Sequence, residues 1–380
     1  MRAKREALGH APAVLTIYLV ITLLLLETTT LAPHRIWSVI AAVGYAITLI
    51  LSSSRLLRGW IGTLTLLGTA IVPLAILSAA HVWQPEVQVL VDGARYALET
   101  GTPYLAHPES LSEYRPYMPL MFAFGVPRAL GLEGLLGDPR VLMTSVYFGL
   151  LFSAAILTDS ADGNTERPRI ALPEKNLLLL SFPLLSLSLS VSAIDAPMTG
   201  LCVLAIAAYG RHKLAMCAVA SALAMALKPT AALFVLIVAL TVWRRVGVRP
   251  CSGYLLRVAI VWTLCISPTL AFSVSALWGN VVAFPTGQTE VPSPAQSPFP
   301  GVLLSGLGDT GRLLAIALVA ITVFAALLVT WIRPPVDVRT LSIYVALAFS
   351  VLFLVAPNSR AGYFFLPMVV WITFINRMRL

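Results

Sequence analysis

The chain has 380 residues, of which 58% are AVILMFWYC and only 11% are charged, against roughly 25% charged in an ordinary soluble domain. A mean hydropathy of +0.87 excludes a single soluble globule, which needs polar surface to cover its interior. The net charge of +9 arises from 26 Lys and Arg against 17 Asp and Glu. The basic residues cluster in short stretches between apolar runs, so they read as loops of a membrane protein and not as a nucleic-acid surface.

In chain order, apolar runs near the roughly 20 residues needed to cross hydrocarbon fall at 12–27, 36–52, 60–80, 140–158, 176–193, 197–210, 214–227, 230–243, 257–274, 313–332, 341–356 and 361–376. This pattern predicts an all-α integral membrane protein, a multi-pass bundle of about 12 transmembrane helices forming one polytopic domain over 1–380. Arg2, Lys4 and Arg5 precede the first run, which reads as an uncleaved first helix because further spans follow. The cysteines Cys202, Cys217, Cys251 and Cys265 have no CxxC spacing, so neither a zinc site nor a disulfide framework is indicated. No internal repeat of the kind many transporters carry is visible.

With a cytoplasmic N-terminus, 18 of the 26 basic residues fall on inner connections. The outer side then keeps Arg35, Arg95, Arg115, Arg128, Arg140, Lys228, Arg312 and Arg360. Both termini are thereby expected inside a cell membrane. Two long outer loops follow, 81–139 and 275–311, the second with a Pro-rich stretch at 291–300 that favours extended backbone. The inner connection 159–175 reads as a solvated loop of mixed charge.

The first outer loop holds the most chemistry. Residues 85–99 read as a helix, with Pro85 suited to its first turn and Gly101 to its C-terminal break. Val87, Leu90, Val91, Ala94, Ala97 and Leu98 share one face, while Gln88, Asp92, Arg95 and Glu99 share another. Such a helix is too short and polar to span, and is expected to lie in the interface plane. Asp92 has two readings. It is half of a solvated pair with Arg95, or it is a general base at the membrane surface, with Tyr96 one turn away. Tyr104, Tyr114 and Tyr117 are either an interfacial aromatic belt or a wall that binds sugar or isoprenoid.

The residues ValAspGlyAlaArgTyrAlaLeuGluThrGlyThrProTyrLeu (91–105) followed by TyrArgProTyrMetProLeuMetPhe (114–122) resemble the first-loop pattern of the GT-C superfamily. More narrowly they resemble polyprenol-phosphate-mannose-dependent mannosyltransferases, glycosyltransferase family 87-like proteins. A second stretch agrees in order and spacing: AlaIleAspAlaProMet (193–198), a helix, the basic turn ArgHisLys (211–213), and AlaLeuLysProThrAlaAlaLeuPhe (226–234). The turn before Asp195 departs from the pattern, with Ser192, Ala193 and Ile194 where a Gly-Gln is expected, and two helices precede the loop where the simplest GT-C layout has one.

The resemblance implies transfer of a sugar, mannose by analogy, from a polyprenyl-phosphate donor to a cell-envelope glycolipid or glycan, with inversion. Asp92 is then the catalytic base, Lys228 and Arg360 hold the donor phosphate, and Arg95, Tyr96, Tyr104, Tyr114, Tyr117 and Asp195 line the cavity. Locally, Lys228 also reads as a snorkelling helix end, and Asp195 as an N-cap. No Gly-rich phosphate loop or soluble nucleotide domain is present in the sequence. No metal or cofactor is expected, although Asp159 and Asp162 come close to a metal pair on the inner side. The expected partners are the lipid-linked donor, the acceptor and membrane lipids, without nucleic acid. A lipid or solute transporter is the alternative, and it is expected to carry its ionisable groups at mid-membrane on broken helices.

Overall fold

The computed structural model describes residues 10–159, 172–272, 274–291 and 297–375. Among them there are helices and no strands. In order they are α1 (Ala11–Thr28), α2 (Ala32–Leu51), α3 (Arg58–Ala79), α4 (Pro85–Thr100) and α5 (Pro139–Asp159). Next come α6 (Glu174–Leu180), α7 (Pro183–Val191), α8 (Ala196–Gly210), α9 (Leu214–Leu227), α10 (Ala231–Arg245) and α11 (Val248–Phe272). The last are α12 (Val274–Ala283), α13 (Asp309–Ile332), α14 (Val338–Val355) and α15 (Ala361–Ile375). Arg2, Lys4, Arg5, Asp162, Arg167, Arg169, Arg377 and Arg379 and the stretch 292–296 lie outside the described residues.

Seven of these helices are long and apolar enough to cross a membrane, or eight if the bent pair α6–α7 is one span. The chain is therefore a membrane-embedded helical protein, with fewer qualifying spans than the twelve expected. Over the described residues each expected segment falls largely on helix, but α8 and α9 have only 15 and 14 residues. At 1.5 Å per residue they reach about 22 Å, short of a hydrocarbon core of about 30 Å. α8 packs between α5 and α9, and α9 against α11. The most apolar helix, α13, has only 11% of its apolar window buried, with Leu313 and Phe324 facing outward. Lipid is the solvent that tolerates such a surface.

Two apolar cores result. The smaller is built on Leu15, Trp37, Tyr45 and Ile61; the larger runs from Leu90 and Tyr104 through α8–α10 to α14 and α15. Prolines shape the smaller one. Pro73 has no N–H to give the carbonyl of Thr69, α3 widens there into a π-turn over Leu67–Ile71, and the Trp37 indole donates to that carbonyl at 2.9 Å instead. At the 70° bend between α6 and α7 the Tyr45 hydroxyl donates to the carbonyl of Ser181.

The connections alternate between two ends of the bundle. One end gathers the 81–139 segment, the turns at 192–195 and 228–230, and the 356–360 turn; the other gathers the 211–213 and 246–247 turns and the 333–337 connection. The segment 275–311 is not a plain loop. α12 covers Val274–Ala283, and a further helical turn covers Pro300–Ser305.

Candidate functional site

The site is built on α4. Pro85 occupies its first turn, where a missing N–H costs nothing, and Gly101 ends it in the left-handed region at φ +83. Val87, Leu90, Val91 and Ala94 are buried as the apolar face required, whereas Leu98 is exposed and Ala97 half-buried. The buried face rests on the helical turn Pro119–Gly125 of the same loop. Gly125 makes this approach possible, because a Cβ there would stand 2.2 Å from the carbonyl oxygen of Leu90. α4 thus lies on protein, its polar side turned outward.

From Gly101 the chain folds inward. Tyr104 is buried and donates from its hydroxyl to the carbonyl of Tyr117 at 2.6 Å, and the Met118 N–H donates to the carbonyl of Leu227 at 3.2 Å. The second bond fastens the TyrArgProTyrMetPro segment to the end of α9, where Lys228 follows. Lys228 is 7% exposed, so it is not a snorkelling helix end. Its Nζ lies 2.5 Å from Asp195 Oδ1, 5.7 Å from the Tyr117 ring centre and 5.3 Å from that of Tyr363. Asp195 stands before α8 but makes no side-chain cap; its carboxylate serves Lys228 instead. Arg360, three residues before Tyr363, pairs with Glu86 in the first turn of α4.

Lys228, Asp195, Tyr117 and Tyr104 are therefore brought together, and Arg360 ties them to α4 through Glu86. Asp92 belongs to a neighbouring cluster. It accepts from Gln88 Nε2 at 2.9 Å, lies 3.7 Å from Arg95, and its side chain is 39% exposed. Arg115 joins it from below, with its guanidinium 4.9 Å from the Tyr96 ring. Arg115 is buried, its Nη1 donates to the carbonyl of Pro103, and its Nε has no hydrogen-bond partner. Burial pushes the Arg115 guanidinium down from its ordinary value, and the charge of Asp92 is the first effect opposing that. Tyr114 is in neither cluster, since it stacks on Phe284 of the segment after α12 at 4.3 Å.

Burial pushes the hydroxyls of Tyr117 and Tyr104 well up, with Tyr363 and Asp195 adding to the effect at Tyr117. Both phenols therefore stay neutral and can act as hydrogen-bond groups, not as bases. A further pair anchors the loop where it rejoins the bundle. Arg140 grips both oxygens of Asp138 and donates to the carbonyls of Val82 and Ser190 at 2.8 and 2.9 Å. This single side chain holds together the start of the loop, its end and α7.

Arg115, Glu86, Tyr363 and Arg140 carry more of this architecture than their sequence signals indicated. Arg115 stood inside the quoted TyrArgProTyr motif, and its approach to Tyr96 and Asp92 comes from the folding of the loop and not from sequence spacing. Among the described residues, no three His, Cys, Asp or Glu side chains converge as a metal site needs. No protein-family profile, curated protein or solved structure matches the chain.

Proposed function

We propose that the chain is a glycosyltransferase of GT-C type that moves a sugar from a polyprenyl-phosphate donor to a glycolipid or glycan acceptor, with inversion. The observation that carries this reading is the gathering, at one end of the bundle, of a buried cation, Lys228, between two tyrosine rings and beside the loop whose helix bears Asp92. The acceptor hydroxyl oxygen attacks the anomeric carbon, the bond from that carbon to the phosphate oxygen breaks, and Asp92 takes the hydroxyl proton. Lys228 and Arg360 receive the charge left on the departing polyprenyl phosphate, for which they loosen from Asp195 and Glu86. Tyr104 and Tyr117 supply neutral walls, with Arg95, Tyr96 and Asp195 at the rim. Tyr114 serves the reaction only through the packing of the loop on Phe284.

Mannose is assigned through the resemblance of 91–122 and 193–234 to mannosyltransferases. In this reading twelve helices cross a cell membrane, with α8, α9, α10 and α15 as the shorter spans, both termini cytoplasmic, and the site on the outer face, as the distribution of Lys and Arg favours.

The 70° break between α6 and α7 is the feature that favours a transporter, since transporters bind cargo at broken helices. That break holds Ser181 and Phe182 and no ionisable side chain. The test is to incubate purified protein with synthetic polyprenyl-phosphate mannose and acceptor. Acceptor-dependent release of polyprenyl phosphate supports transfer; movement of intact donor across a vesicle without release supports transport.

A further inference from the structure

A second site lies at the opposite end of α8 and α9, about 22 Å from Asp195 along the helix axis. The turn 211–213 and the start of α11 border an open depression of about 760 Å³ whose lining includes His212, Lys213, Arg249 and Arg257. Arg249, Gly253 and Arg257 follow one another at steps of four along one stripe of α11. Gly253, between the two arginines, carries no side chain that would crowd them. The Arg257 guanidinium lies back over it, donating to the Gly253 carbonyl at 2.7 Å, where a Cβ would stand 3.0 Å away.

The electrostatics of this pocket are unbalanced. Lys213 is the N-cap of α9 and Arg249 sits in the first turn of α11, so both add positive charge to helix ends that are already positive. Among the described residues none of Lys213, Arg249 and Arg257 pairs with a carboxylate. The bias of Lys and Arg toward one side of a membrane explains their number there. It does not explain why they share a pocket, or why that pocket opens into something apolar. Ala215 and Met216 also line an adjoining groove of about 410 Å³, completed by Leu201, Leu204, Val219 and Leu223. Met216 and Val219 are each 40% exposed. From Ala215 to Leu223 the groove runs about 12 Å along α9, most of the depth of one leaflet's half of a hydrocarbon core of about 30 Å.

We propose that this two-part groove holds one anionic bilayer phospholipid, its headgroup phosphate among Lys213, Arg249 and Arg257 and an acyl chain along Met216, Val219 and Leu223. The phosphate neutralises cations that otherwise repel one another, and the two helix N-termini orient toward it. The chain occupies apolar surface that has no other partner in the bundle. The site does not depend on the glycosyl-transfer reading.

The test uses the purified full chain in neutral detergent, with phosphatidylglycerol and phosphatidylcholine added separately and retained lipid counted by native mass spectrometry. One phosphatidylglycerol should be retained in preference to phosphatidylcholine. R249Q and R257Q should each weaken it about fivefold, the scale of one cation facing an anionic lipid, and K213Q/R249Q/R257Q should remove the preference. V219W fills the groove without touching the charges and should also weaken retention. Equal retention of the two lipids, or an unchanged preference in the single arginine variants, overturns the proposal. So does full retention by V219W, or displacement by glycerol phosphate alone, either of which marks a headgroup site without a chain. Displacement by equimolar polyprenyl phosphate overturns the assignment to a phospholipid. Should the triple variant fail to fold, the single variants at exposed positions decide.

Discussion

Lys228 shows how an ionisable side chain comes to be kept inside an apolar bundle. Its charge is held by Asp195 and by two aromatic faces, and the arrangement is asymmetric in its consequences. Removing one partner strands a buried charge, which costs about 3–5 kcal/mol in fully buried pairs, whereas removing both costs far less. Lys228→Met should therefore lower thermal stability more than the double variant Lys228→Met/Asp195→Asn, a comparison that thermal unfolding in detergent makes directly. If the ammonium also holds donor phosphate, the double variant should still show a raised donor KM, since losing a charge-assisted hydrogen bond costs roughly 1.5–3 kcal/mol. A stable double variant with unchanged donor KM would reduce the pair to a structural tie.

Asp138 makes a prediction about pH. Burial pushes its carboxyl upward, but the hydrogen bonds and charge of Arg140 outweigh burial and hold it below its ordinary value. A carboxyl with a lowered folded value stabilises the fold above its unfolded value, about 3.9, and loses that contribution as pH falls through the folded value. Asp138→Asn should thus be less stable than the parent near neutral pH, with the gap closing as the pH of the unfolding measurement is taken below about 4. A gap that is constant with pH would mean that packing, and not charge, is what the substitution removes.

At the scale of elements, α4 was legible because a proline, a helical apolar stripe and a glycine agree on its limits, and the helix ends at Thr100 where that pattern stops. Its floor was not legible. The Pro119–Gly125 turn is apolar on too many positions to betray which face it offers, and Gly125 is needed only because the Leu90 carbonyl comes so close. Gly125→Ala should accordingly cost about 1–3 kcal/mol, the scale of overpacking a close contact, and should expose the 81–139 segment to limited proteolysis. If the variant melts and resists protease like the parent, α4 is not seated on this turn as described. The meeting of Lys228 and Asp195 was nearly legible: α8 and α9 are similar in length and joined by a three-residue turn, so the residues flanking them must come to one end. What hid it was the preference of Asp for N-cap positions, which gave Asp195 a sufficient role without a partner. The segment 275–311 was read as a loop because its prolines dominate the pattern, and the helix that ends at Ala283 lies before them.

At the scale of the whole molecule, the hydropathy runs locate the helices well, while among the described residues seven, or eight with the bent pair, are long and apolar enough by themselves to cross a membrane. An interior helix and a lipid-facing helix can be equally apolar; α8 and α13 are both strongly apolar, yet α8 is nearly all buried while α13 is mostly exposed. Sidedness is open to a direct experiment. Glu109 is exposed in the 81–139 loop, and three of the four native cysteines are buried. With Cys265 replaced by serine, a Glu109→Cys variant should react with an impermeant thiol reagent in intact cells. Labelling only after the membrane is broken would invert the topology and move the site to the cytoplasm.

The most direct test of the account is the rate of polyprenyl-phosphate release from a polyprenyl-phosphate sugar by Asp92→Asn, measured beside the parent protein. The substitution preserves volume and the contact with Gln88, so yield and melting temperature should be nearly unchanged. The loss of the half-exposed pair with Arg95 is worth only a few tenths of a kcal/mol. The account predicts that acceptor-dependent release falls by about 10²–10⁴-fold, the contribution of a positioned general base. Release by Asp92→Asn at the parental rate, or none from the parent with any lipid-linked sugar, would contradict it.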